Sequence, residues 1–361
     1  MVLKKHEKRK IIVATILLIA AVVIYAAAQN IQGFADWFNQ YIYAKVSFIF
    51  AWISNWLPFS VVEFLVYGII LWGISSLIMS IAVKLKKRNT SKTIGSKLST
   101  IYLLLSIIAF LYVMNCGVNY YRTSFIEAEH LEGKKYDKEE LVQVCQYLSD
   151  QINALEKKIP KSKDGVLVTD SSMVSEAPQI MKALSKKYKS LTGYYPRPKG
   201  LVVSEILSYQ QLSGVYSPFT VEANYNDDMP DYYKAFTVLH ELAHLRGFMQ
   251  EEEANFISIL ACANSSDVRF QYSGYLVAYS YCMSELRGYD LESYGKIRNQ
   301  LCKTANLEIE KRNAFWGKYE GKIAEVSDKV NDTYLKANAQ VKGVQSYNEV
   351  VGLIVANLRE Q

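Results

Sequence analysis

The sequence predicts a multi-pass α-helical membrane anchor over residues 1–120 and a mostly α, α+β domain over residues 121–361. Three observations predict it. Long apolar runs, nearly free of charge, occupy the N-terminal third of the chain. Basic residues cluster at the ends of those runs. Past Tyr120 the pattern becomes one of amphipathic helical stripes, interrupted once by a β-branched and aromatic stretch.

Taken in order, Met1 to Lys10 is short and basic, with Lys4, Lys5, Lys8, Arg9 and Lys10 against Glu7. Ile11 to Ala28 carries no charge and is long enough to span a bilayer. Ala26-Ala27-Ala28 offers a small-residue cleavage site, but the apolar run is long for a signal peptide and reads as an uncleaved anchor. Gln29 to Ser60, with Trp37, Trp52 and Trp56, suits a segment lying at the membrane interface. A second span is expected over about Val61 to Val83 and a third over about Leu98 to Tyr120.

The loop charges set an orientation. Lys84 to Lys97 holds Lys84, Lys86, Lys87, Arg88, Lys92 and Lys97 and no acid, whereas the loop before it holds only Asp36 and Lys45. Positive loops stay in the cytoplasm, so the residues after Tyr120 are expected outside it. With the cytoplasmic bases removed those residues are mildly acidic. The whole-chain net charge of +6 is then a topology signal and gives no reason to expect a nucleic-acid partner. The expected partner is the lipid bilayer. The five cysteines show no CxxC spacing; Cys262 and Cys282 read as buried small hydrophobes, and one disulfide among Cys145, Cys282 and Cys302 stays open.

Within the second part, Tyr136 to Lys158 and Ser175 to Leu191 read as amphipathic helices and Gly193 to Gly200 as a turn-rich loop. Leu201 to Asn226 reads as two or three short strands, the last near Thr220 to Tyr225. Asp227, Asp228, Pro230 and Asp231 give a helix start. Helices are expected at Glu251–Ala263 and Asp267–Leu286, with long charged ones between about Ile297 and Ala339.

The helix starting near Asp231 carries His240-Glu241-Leu242-Ala243-His244, two of the chain's four histidines. One helical turn apart, they face the same way and supply two corners of a tetrahedral zinc site, while Glu241 reaches a water on the open corner. Leu239, Leu242, Ala243 and Leu245 surround them, so the polar groups are buried and need partners. Gly247 fits a helix-ending turn through positive φ. The chain then delivers Glu251-Glu252-Glu253-Ala254-Asn255, a source for a third ligand at the positive start of a helix.

This order, strands leading into an HExxH helix and then a carboxylate-bearing helix, resembles the gluzincin metallopeptidases. The resemblance implies a gluzincin-like zinc metallopeptidase domain, with an edge strand beside the zinc helix that pairs with substrate backbone. It makes Glu251, in the form E-x-x-A-[DN], the preferred third ligand and Asn255 a supporting residue, with Glu253 as the alternative ligand and Glu252 facing away. The Gly247 turn also resembles the metzincin pattern, which puts a ligand where this chain has Gln250. From Gly193 through Gly274 the chain further resembles an uncharacterised bacterial family of multi-pass membrane proteins, described as a domain of unknown function. That likeness is carried by Gly214-Val215-Tyr216-Ser217-Pro218-Phe219-Thr220, Glu222-Ala223-Asn224, the HExxH segment, Gly247-Phe248, Glu253-Ala254-Asn255-Phe256 and Tyr272-Ser273-Gly274-Tyr275, with Asn331 to Asn338 near the C-terminus.

The expected activity is therefore hydrolysis of a peptide or protein in the cell envelope. One Zn²⁺ per chain is held by His240, His244 and Glu251, and Glu241 is the general base. Tyr272, Tyr275 and Tyr216 are candidate oxyanion partners, and Arg246 a partner for one of the surplus glutamates. A zinc-containing receptor or scaffold without catalysis, and a hydrolase of a non-peptide amide, are the alternatives.

Overall fold

The computed structural model describes residues 4–85, 91–131, 135–338 and 349–359. The chain opens with α1 (Lys5–Asn30) and continues through α2 (Phe34–Phe38), a π-helical turn (Asn39–Tyr43) and α3 (Ala44–Asn55). Two long helices follow, α4 (Val61–Leu85) and α5 (Ser91–Asn115), the second extended by a 3-10 turn at Gly117–Tyr121. Three helical segments, Lys5–Asn30, Val61–Ala82 and Gly95–Tyr121, are long and apolar enough to cross a membrane. Helix α1 packs along α5, where Lys10 Nζ donates to Thr100 and the Thr15 and Tyr102 hydroxyls meet. Residues 86–90 of the basic Lys84–Lys97 stretch, and the first three residues of the N-terminal basic segment, lie outside the described residues.

Beyond them come α6 (Phe125–Ala128), α7 (Lys138–Glu156) and α8 (Ser171–Leu184). Asp137 and Asp170 cap α7 and α8 by accepting from first-turn N–H groups. Because Asp170 starts it, α8 lies nearer the N-terminus than the expected Ser175–Leu191 segment, whose end is a separate 3-10 turn at Lys189–Leu191. The β-branched stretch forms β1 (Lys199–Gly200), α9 (Glu205–Tyr209), β2 (Gly214–Ser217) and β3 (Glu222–Tyr225). Their order is β1-β3-β2, with β1 parallel and β2 antiparallel to β3. The expected strand near Thr220–Tyr225 is thus the centre of the sheet, and the edge beside the HExxH helix is Gly214–Ser217. Alternation alone cannot order strands, since β3 gains its second neighbour from residues before α9.

The remaining elements are α10 (Asp231–Leu245), α11 (Glu251–Ala263), α12 (Val268–Tyr289), α13 (Leu291–Gln300), α14 (Lys303–Lys318), α15 (Lys322–Ala337) and α16 (Val350–Arg359). The HExxH helix α10 is the hub. It packs against β2, β3, α8, α11 and α12, and all its residues from Ala235 to Leu245 are buried. Helices α7, α11, α12 and α16 close the far side. All five cysteines are free; the Cys145 and Cys282 thiols are hydrogen-bonded neighbours between α7 and α12.

The N-terminal helices are fastened to the sheet. The Glu222 carboxylate of β3 accepts from the N–H groups of Val61 and Val62, the unpaired donors that open α4, and Lys199 of β1 neutralises it. Reciprocally, Glu63 of α4 accepts from Val202 and Val203 after β1. The Lys199–Glu222 pair is almost fully buried, and removing one partner of such a pair costs about 3–5 kcal/mol. The Tyr43 hydroxyl donates to the Leu245 carbonyl, Asn115 donates to that of Pro218, and Arg122 donates to that of Arg246. The π-helical turn, the start of α4 and the end of α5 therefore all meet the part of the fold that carries α10.

Candidate metal centre

The turn after α10 sets the site. Gly247 adopts φ +89°, Gly247 N–H bonds the His244 carbonyl and Phe248 N–H bonds that of Ala243. This is a Schellman ending, which needs a left-handed residue. A Cβ on Gly247 would also lie 2.6 Å from the Asn39 amide and 2.8 Å from Arg122 Nη1, so glycine lets the N-terminal segments pack under the turn. The turn places the Phe248 carbonyl 2.8 Å from His244 Nδ1. A carbonyl only accepts, so Nδ1 carries the proton and Nε2 presents its lone pair to the cleft.

Helix α11 begins where the turn releases the chain, and its first residue, Glu251, faces both imidazoles. His240 Nε2 lies 3.5 Å and His244 Nε2 3.7 Å from its two carboxylate oxygens, and the rings stand perpendicular with centroids 4.6 Å apart. One ligand atom from each of the three residues lies within 4.8 Å of the others, and among the described residues this is the group able to hold a metal ion. Glu253 turns elsewhere: its carboxylate accepts from Phe125 N–H and lies near Arg122. Glu252 is buried and lies outside this cluster. Gln250 precedes α11 and donates to the Tyr120 carbonyl. Asn255, one turn into α11, is buried with its amide beside the His240 ring.

Glu241 sits beside the three-residue cluster without belonging to it. In the β2–β3 register, Gly214 and Tyr216 turn their backbone groups to the open edge of the sheet, and the Tyr216 backbone hydrogen-bonds the Glu241 carboxylate. Gly214 is required here, since a Cβ would fall 2.5 Å from Glu241 Oε1 and 2.8 Å from both the Asn224 carbonyl and the Thr237 methyl. The other oxygen, Oε2, is buried without a hydrogen-bond partner. Burial raises the Glu241 carboxyl to about 8, opposed by the His240 charge and reinforced by that of Glu251. The imidazoles diverge. For His240 burial works against the charge, yet the hydrogen bond and charge of Glu251 prevail and raise it; His244 falls to about 4 through burial and the neighbouring His240 charge. Without metal, Glu251 thus favours a proton on His240, while burial and the His240 charge favour a neutral His244. Two imidazoles and a carboxylate that converge, with one tautomer already fixed, fit a metal ion in place of that proton.

The site opens into a cleft of about 630 Å³. The edge strand β2 forms one wall, Cys116 and Tyr120 from the end of α5 another, and Ser327, Asp328, Asn331 and Tyr334 of α15 a third. Of the tyrosines singled out from sequence, Tyr216 lines the cleft but its hydroxyl is tied to Tyr43 and the Asn115 carbonyl. Tyr272 is buried near Glu308, and Tyr275 packs edge-on against Tyr147. Besides Tyr120 and Tyr334, the cleft is lined by Tyr233 and Tyr281, hydrogen-bonded to one another and near enough to Glu251 to feel its charge. Burial raises both, and Arg312 behind them pulls each back. Their only trace in sequence is position, Tyr233 lying two turns before His240. Arg246 donates to Ser47 and the Leu245 and Thr192 carbonyls and lies over the Tyr195 ring.

Neither a curated protein nor a solved structure matches the chain. A family model described as a protein of unknown function, DUF3810, matches residues 38–355, a span that takes in the HExxH helix, α11, the edge strand of the cleft wall and α15. The chain belongs to the DUF3810 family.

Proposed function

We propose that this protein is a membrane-anchored, zinc-dependent metallopeptidase of gluzincin-like design. The observation that carries the reading is the convergence of His240, His244 and Glu251 at the floor of an open cleft, with Glu241 beside the cluster and outside it. A purely structural zinc site fills all four positions with protein ligands, whereas three ligands and a neighbouring carboxylate leave one position for chemistry. The mixed nitrogen and oxygen donors, two of them imidazoles, suit zinc better than calcium or magnesium.

Zinc held there supplies Lewis acidity, lowering the pKa of an adjacent water toward neutrality and polarising the scissile carbonyl. With zinc bound, Glu241 would take the proton from that water and deliver it to the leaving amine. Tyr233 and Tyr281 are the phenols positioned to donate to the developing oxyanion. The outward backbone groups of Gly214 and the Tyr216 carbonyl offer an extended substrate a strand edge to pair with. The test is peptide hydrolysis by the full-length protein in detergent, using a mixture of quenched peptides. Cleavage is expected to vanish when a chelator removes the metal and to return with one equivalent of Zn²⁺. Cleavage that survives metal removal contradicts the reading, and cleavage of small amides alone favours the non-peptide alternative.

The reading also places α1, α4 and α5 across a membrane, with the cleft outside the cytoplasm. It is supported by the meeting of their ends. Lys10 and Lys97 bond across one end, to Thr100 and to Ser76 and Ser80, while at the other Gln29 of α1 bonds Tyr121 after α5 and Val61 at the start of α4 bonds Glu222 of the sheet. Glu292 is well exposed on α13, so a Glu292→Cys protein in intact cells should react with a maleimide that cannot cross membranes. Labelling only after lysis would reverse the orientation.

A further inference from the structure

A second, apolar groove of about 260 Å³ lies next to the metal cleft, between the first turns of α4 and the outer side of β2. Its α4 wall is Val62, Val66 and Tyr67; Val203 and Ile206 close the opposite side. The groove and the metal cleft share Val215, Tyr216 and Pro218, so β2 is the partition between them and its open edge runs from one into the other. Tyr216, on that partition, is the residue whose backbone holds Glu241. At about 3.3 Å per residue, an extended chain lying in the groove reaches the catalytic base within a few residues.

The groove's other end opens toward lipid. Phe64, Leu65, Ile69 and Ile70 on the same turns of α4 are exposed, on a helix long and apolar enough to span a bilayer. Val202, Val203 and Ile206 extend that apolar surface onto the domain. Contiguous exposed apolar surface of this kind marks a docking site. An occupant entering from the bilayer beside α4 would meet apolar walls first and the outward edge of β2 second. A polypeptide satisfies both, with side chains in the groove and its backbone along the Gly214 groups and the Tyr216 carbonyl, whereas a lipid acyl chain satisfies only the first.

We propose that this groove seats the membrane-proximal residues of a membrane-anchored polypeptide, directing cleavage to bonds just outside the bilayer; the proposal rests on the peptidase reading above. The test uses the full-length protein in vesicles of phosphatidylethanolamine and phosphatidylglycerol. Its substrate is a single-pass test protein carrying a stalk of varied sequence between its membrane helix and a fluorescent domain, compared with the same stalks as soluble peptides. The tethered stalks should be cut faster, within about six residues of the membrane helix. Ile206 is half exposed at the groove rim, so Ile206→Asp should fold, and its charge should lower the ratio of tethered to soluble rates about tenfold. A ratio unchanged by the substitution, or equal rates on both substrates in the native protein, overturns the proposal. A photo-crosslinking benzoylphenylalanine in place of Ile206, in a Glu241→Gln background, reads occupancy without activity. Crosslinks to the stalk support the docking, and crosslinks to lipid alone overturn it. Stalk crosslinks accompanied by no cleavage of either substrate would support the docking while sinking the peptidase reading.

Discussion

Glu241→Gln is expected to keep its metal and to lose hydrolysis by about 10²–10⁴-fold, the usual contribution of a positioned general base. Glu241 lies roughly 100° around α10 from His240, so its carboxylate addresses the space beside the cluster rather than the cluster itself. The amide preserves shape and removes the ability to accept a proton. Oε2 has no hydrogen-bond partner and the amide oxygen can still accept from the Tyr216 backbone, so the substitution leaves the surrounding bonds largely in place. The check is a paired measurement of metal content and of rate on any substrate the native protein cleaves. Full activity in the variant would rule out the proposed base.

The second large effect falls on the metal. His240→Ala and His244→Ala should each abolish stoichiometric zinc, because either change leaves two ligands where three converge. Glu251→Gln should weaken binding by exchanging a charged ligand for a neutral amide. Glu253→Gln is the internal control: its carboxylate serves the Phe125 N–H and Arg122, so it should cost about 1–3 kcal/mol of stability and leave zinc bound. Glu252→Gln should leave zinc bound as well. Normal zinc in Glu251→Gln together with loss in Glu253→Gln would transfer the ligand role to Glu253.

Local signals made much of this architecture legible. The apolar runs announced the long N-terminal helices, because a membrane-length helix needs little beyond composition to be recognised. The HExxH spacing and the acids after Gly247 announced α10 and α11, since helical period and a helix-ending glycine are properties of adjacent residues. What escaped is what distant residues build together. Nothing in a two-residue strand such as Lys199–Gly200 reveals that it pairs with β3 and pushes β2 to the edge. Glu63 and Glu222 read as ordinary acids, yet each caps a backbone segment more than a hundred residues away. Cys116, Tyr120 and Tyr334 carried no sign of lining the cleft, and Tyr233 and Tyr281 were hidden among 27 tyrosines until the fold placed them beside Glu251.

Metal content decides the central claim. Elemental analysis of the purified full-length protein, beside the His240→Ala variant prepared identically, should find one zinc per native chain and none held stoichiometrically by the variant. A native protein free of zinc, or a variant that retains one equivalent, would contradict the account.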